Sequence, residues 1–125
     1  MKRPSHLALV VLVLAGCRSP SVADTTVALD EFSVTPGVDR LTAGTINLTV
    51  SNSGEFPHTL VVSDGAGTVV AGTTLILPGE GATLSVDLEP GLYMFTCRIV
   101  GQSDSGEIID HYERGMAARV EVGSY

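Results

Sequence analysis

From Val27 onward, apolar and polar positions alternate with a period of two, and turn-forming residues break the alternation at short intervals. Val27 and Leu29 start a strand that leads through Phe32 and Val34 to Pro36-Gly37. Residues 45–51 put Ile46, Leu48 and Val50 on one face and stop at Asn52-Ser53-Gly54. Residues 59–63 form the next strand, ended by Asp64-Gly65-Ala66-Gly67, and residues 73–77 a shorter one, closed by Pro78-Gly79. Leu84, Val86 and Leu88 share a face of residues 83–88, before the turn Glu89-Pro90-Gly91. In residues 92–99, Tyr93, Phe95 and Cys97 oppose Met94, Thr96 and Arg98, and residues 117–122 supply the last strand. This pattern predicts an all-β fold, an antiparallel Greek-key β-sandwich of about seven to eight strands. Residues 100–115 lack the alternation and read as a long loop, with Ile108 and Ile109 packing locally or forming a helical turn. A loop of that length in a small sandwich is functional or disordered.

The first residues follow a different rule. Met1-Lys2-Arg3 is basic, and Leu7 to Leu14 is an unbroken apolar run of eight. That run is too short to span a bilayer, which takes about 20 residues, but it suits the apolar region of a secretory signal. It ends in Leu14-Ala15-Gly16-Cys17, which resembles the lipobox of bacterial lipoproteins. The resemblance implies a signal peptide over residues 1–16, lipidation of Cys17, a tether over 17–25 and one domain over 26–125. It also implies an extracytoplasmic protein anchored to a bacterial membrane through Cys17. The alternative is ordinary signal cleavage, with Cys17 incidental.

Composition narrows the function classes. Of 125 residues, 14 are acidic and 7 basic, a formal charge of −7, which argues against nucleic acid as a partner. Removing residues 1–16 takes away Lys2, Arg3 and His6. That leaves 5 basic against 14 acidic residues, a charge of −9, with His58 and His111 as the remaining histidines. The one lysine, Lys2, goes with the signal, so a catalytic or Schiff-base lysine is not expected in the finished protein. With Cys17 acylated, Cys97 is the remaining thiol and has no internal disulfide partner. It is then a buried hydrophobe, a reactive group or a metal ligand.

His58 opens a strand after Phe56-Pro57, Cys97 ends one, and His111 and Met116 lie across the following loop before the last strand. Two imidazoles and a thiolate, with a weak thioether above them, are what a blue-copper centre requires. Met94 is the rival thioether, but its offset of three from Cys97 turns it to the other face. Taken singly, each residue has a plainer reading: Cys97 and Met116 as core filler, His58 and His111 as ordinary turn histidines. Structural zinc would need a fourth firm ligand, for which Asp110 is the candidate. A Cys97–His111 nucleophilic dyad lacks an orienting group and an oxyanion hole. Two histidines cannot furnish the second centre of a multicopper oxidase or copper nitrite reductase, so the expectation is a protein that is not an enzyme.

At this point the sequence resembles the cupredoxins, the plastocyanin and azurin type of copper domain, over about residues 25–123. The matching pieces are Asn52–Gly54 leading to Pro57-His58, Gly91 through Cys97 after Pro90, and His111 and Met116 before Arg119-Val120-Glu121-Val122. The resemblance implies one type 1 copper per chain, with His58, Cys97 and His111 as equatorial ligands and Met116 as the axial one. It also implies single-electron transfer to a redox protein, a cytochrome or membrane oxidoreductase. Storage or delivery of copper, or a metal-free cupredoxin-like binding domain, are the competing functions. One departure stands out. Family members of this type place two to four residues between the cysteine and the second histidine, whereas 13 separate Cys97 from His111 here. The extra length is expected to bulge outward after Val100-Gly101 and return at Asp110, at a cost that grows only logarithmically. Asp104, Glu107, Asp110 and Glu113 in this stretch read as a solvated loop, or more sharply as an acidic rim for a cationic partner.

Overall fold

The computed structural model describes residues 23–124, and the signal segment, Cys17 and most of the tether lie outside them. Eleven strands follow in order: β1 (Asp24–Asp30), β2 (Ser33–Pro36), β3 (Arg40–Thr42), β4 (Gly44–Asn52), β5 (Val61–Asp64), β6 (Val69–Gly72), β7 (Gly81–Leu88), β8 (Gly91–Thr96), β9 (Val100–Gln102), β10 (Ile108–Asp110) and β11 (Ala117–Gly123). They build a sandwich of a four-stranded sheet, β2-β1-β4-β7, and a five-stranded sheet, β3-β11-β8-β5-β6, with β9 and β10 as a separate hairpin. β1 begins at Asp24, so Asp24 and Thr25 already pair with Asn47 and Leu48.

The all-β sandwich expected from the alternation is present, with differences that have local causes. The strand read through Phe32 is two strands, because Glu31 and Phe32 form a two-residue loop between the paired Asp30 and Ser33. Residues 73–77 make a single bridge, Ile76 with His58, and the strand that flanks β5 on the side away from β8 is β6, just upstream. Residues 100–115 hold the β9–β10 hairpin in place of a helical turn. Neighbours are mostly antiparallel, but β1 runs parallel to β4 and β3 parallel to β11. In both cases the chain visits the other sheet between the two strands, so it returns in the same direction.

The core lies between the sheets, where the alternating apolar faces meet. β4 shows it most plainly: Ile46, Leu48 and Val50 are buried and the residues between them exposed. Val27, Leu29, Leu41, Leu60, Val62, Phe95 and Val120 are fully buried with them, as are Cys97 and Met116. Each such side chain contributes about 1.5–3 kcal/mol by leaving water. Phe95 is the largest of them, on β8 between β11 and β5, and Phe95→Ala would cost about 3–5 kcal/mol. This rigid centre places the ends of β8 and β11 and the β4–β5 loop at one pole of the sandwich.

Candidate metal centre

Three loops converge at that pole, and each is pinned by backbone hydrogen bonds. Cys97 follows directly on β8, and its N–H donates to the Met116 carbonyl (3.2 Å). Met116 in turn donates its N–H to the His111 carbonyl (3.1 Å), closing the segment from 111 to 116. Gly115 within it has φ +120°, and a Cβ there would lie 3.2 Å from the Phe32 carbonyl, so this loop seats on the β1–β2 loop only with glycine. His58 exchanges both backbone hydrogen bonds with Ile76, at 3.0 and 2.8 Å.

Asn52 organises the approach to His58. Its side-chain oxygen accepts from the Gly54 N–H (2.8 Å), and its amide nitrogen donates to the carbonyls of Phe56 (2.8 Å) and Ile76 (2.9 Å). This is an Asx turn doubled as a clamp, holding the 52–58 loop to the segment that pairs with His58.

The side chains of His58, Cys97 and His111 meet inside. The two Nδ1 atoms are 3.1 Å apart, and Cys97 Sγ lies 3.9 Å from that of His58 and 3.7 Å from that of His111. All three residues are buried, His58 and Cys97 completely. A triangle with these sides has its centre about 2.1 Å from every corner, the length of a metal–imidazole bond and close to the ~2.3 Å of a metal–thiolate bond. Met116, fully buried beside them, is the fourth sequence-predicted residue brought to this place. No fourth His, Cys, Asp or Glu joins the cluster among the described residues. Asp110, the candidate fourth zinc ligand, instead accepts the Glu113 N–H at 3.1 Å. A soft thiolate with two imidazoles and a buried thioether fits a single type 1 copper site better than structural zinc.

The surroundings hold the donors and set their charge. The Thr59 N–H points at Cys97 Sγ (3.5 Å) and helps hold the sulfur in place. His111 is pushed below the ordinary imidazole value, first by burial and then by the neighbouring His58, with Glu31 and Asp110 pulling the other way. Glu31 reaches His58 Nε2 at 3.2 Å. Burial would raise its carboxyl, but amide hydrogen bonds from Phe56 and Glu55 outweigh that and hold it at about 2. Phe32 sets its ring edge-on to His111, centroids 5.4 Å apart.

Glu31 and Phe32 were not read as site residues from the sequence. The available signal was the step of three between Leu29 and Phe32, which breaks the period of two and marks the turn that aims both side chains at the histidines. The 13 residues between Cys97 and His111 leave the site as the β9–β10 hairpin, whose base closes where the His111 N–H meets the Ile99 carbonyl (3.0 Å). The extra length therefore stands outside the donor cluster. Between this hairpin and Phe56, Pro57 and Leu75 lies a mostly apolar cavity of about 530 Å³, with His111 on its wall.

Among solved structures, a dithionite-reduced auracyanin from the photosynthetic bacterium Roseiflexus castenholzii matches with a TM-score of 0.63 at 21% identity, covering 83% of this chain and 99% of its own. Auracyanin A, a "blue" copper protein of the green thermophilic photosynthetic bacterium Chloroflexus aurantiacus, gives 0.57 at 16% identity, over 80% of this chain and 99% of its own. A purple cupredoxin from Nitrosopumilus maritimus gives 0.54 at 19%, over 80% and 100%. The fold is that of the cupredoxins. At these identities the likeness is one of architecture, and the cupredoxin fold spans nearly all of the described residues. No family model matches the chain, and no curated protein matches it in sequence.

Proposed function

We propose that this chain is a type 1 copper electron-transfer protein, with His58, Cys97 and His111 as equatorial ligands and Met116 as the axial one. The observation that carries the reading is the buried triangle of two Nδ1 atoms and one Sγ, sized for a single first-row metal ion. Bound copper supplies a one-electron couple between Cu(I) and Cu(II). The chain's part is to keep the donors in nearly the same positions in both states. Backbone hydrogen bonds exchanged between His58 and Ile76, donated by Cys97 to the Met116 carbonyl and donated by His111 to the Ile99 carbonyl tie each ligand residue to a different part of the sandwich.

His111 is the exit for the electron. It is 4% exposed, and its ring forms part of the cavity wall, so a partner seated there would approach the centre through one imidazole. The partner is a redox protein, a cytochrome or membrane oxidoreductase, and its charge is cationic. Asp104 is exposed on the cavity wall and Glu113 is exposed two residues after His111, while Arg114 is paired with Glu107 (2.7 Å) and Arg98 is stacked on Tyr112 (3.8 Å). The Leu14-Ala15-Gly16-Cys17 sequence supports a lipid anchor that keeps the domain outside the cytoplasm, near membrane partners. No helix among the described residues is long and apolar enough to cross a membrane. With both remaining histidines committed to this centre, no imidazoles are left for a second, catalytic copper, and the protein is not an enzyme.

Voltammetry of the copper-loaded protein tests the function. One reversible one-electron couple at one copper per chain is expected. Copper that a mild chelator removes quickly, with no reversible couple, would instead establish storage or delivery.

A further inference from the structure

A glutamate at the tip of a two-residue hairpin loop would ordinarily extend into water. Glu31 turns inward, and its side chain is 20% exposed. One carboxylate oxygen accepts the N–H of Glu55 (2.8 Å) and of Phe56 (2.6 Å), and the same oxygen lies 3.2 Å from His58 Nε2. Space for it is made by Gly54, where a Cβ would stand 2.5 and 2.6 Å from the two carboxylate oxygens. His58 Nδ1 faces the donor triangle, so a His58 that ligates through Nδ1 carries its proton on Nε2 and points that N–H at Glu31.

We infer that Glu31 is the positioning residue of the metal centre: it fixes the tautomer and ring orientation of His58 and sets a fixed negative charge one imidazole away from the metal. The inference rests on the copper reading above. The charge stabilises the site more when the metal is dipositive than when it is monopositive, so Glu31 lowers the reduction potential. The 52–58 loop is ordered by the same carboxylate, which ties the geometry of His58 to the β1–β2 hairpin.

The test compares the full chain with Glu31→Gln and Gly54→Ala. Glu31→Gln keeps a side-chain oxygen but removes the charge, whereas Gly54→Ala keeps the charge and displaces the carboxylate. Both are expected to stay blue and to bind Cu(II) about tenfold less tightly relative to Cu(I), a potential higher by about 59 mV. In the metal-free wild type, ¹⁵N NMR of the imidazole should show the His58 proton on Nε2. An unchanged potential in Glu31→Gln, or a His58 proton on Nδ1, would overturn the role of Glu31 even if the loop were destabilised. A wild-type chain with no blue couple would instead overturn the copper reading, so the two failures are distinguishable.

Discussion

Asn52→Ala would show how far the metal centre depends on one uncharged side chain. Asn52 is 2% exposed and makes three hydrogen bonds that the substitution deletes together. A typical net value of about 1 kcal/mol each gives about 3 kcal/mol. The three partners do not suffer equally. The Ile76 carbonyl keeps the hydrogen bond from the His58 N–H, and Phe56 and Gly54 lie close enough to solvent to regain water. The expected loss is therefore about 2–3 kcal/mol, or about 10–20 °C in Tm for a domain of this size. Urea unfolding of the metal-free protein measures it, followed by Cu(II) titration under conditions where the variant is folded. Affinity should fall as well, because the loop that sets His58 loses its clamp, while the absorption of the loaded site keeps its position. A stability loss below about 0.5 kcal/mol, or unchanged affinity, would refute the assignment of Asn52 as the organiser of this loop.

Met116→Leu conserves volume, so stability should change by less than about 1.5 kcal/mol. A redox titration should find the blue band retained and the potential raised, because the lost thioether helps the higher oxidation state more; an unchanged potential would remove Met116 from the ligand set. Replacing residues 101–109 with Asn-Gly leaves the Val100–Asp110 pair to close a short hairpin and should preserve the blue band, since the excursion stands outside the donor triangle. Loss of the band would make the hairpin part of the site. The Tyr93 phenol is held above its ordinary value of 10.0 by burial, then by the charges of Glu89 and Asp64. The folded chain thus keeps a proton that the unfolded chain releases. That contribution to stability is complete below pH 10 and is lost as the pH rises through the folded value, by at most about 1.4 kcal/mol per pH unit. Urea unfolding across pH 9–11.5 should show this decline, flattened in Tyr93→Phe.

Much of this molecule was legible from periodicity and residue type. The alternation in β4 and β8 assigned their buried faces, because one face of each strand must leave water. The convergence of His58, Cys97, His111 and Met116 was readable because their types form one donor set and each sits at a strand end. Periodicity says which face is buried, not which neighbour a strand takes, so the parallel pairings of β1 with β4 and β3 with β11 were out of reach. Glu31 was hidden for a related reason. Its turn carries no Gly, Pro or Asn, and its partners lie 24–27 residues away, where only the folded sheet brings them together. The β9–β10 hairpin escaped because three-residue strands are too short to display a period.

The central claim is that Cys97 is a copper thiolate held with His58 and His111. Visible absorption during Cu(II) titration tests it most directly, with Cys97→Ser alongside. An intense blue band that saturates at one copper per chain, and is missing from the variant, is the predicted result. A pale or absent band in the wild type, or an equal one in Cys97→Ser, would contradict it.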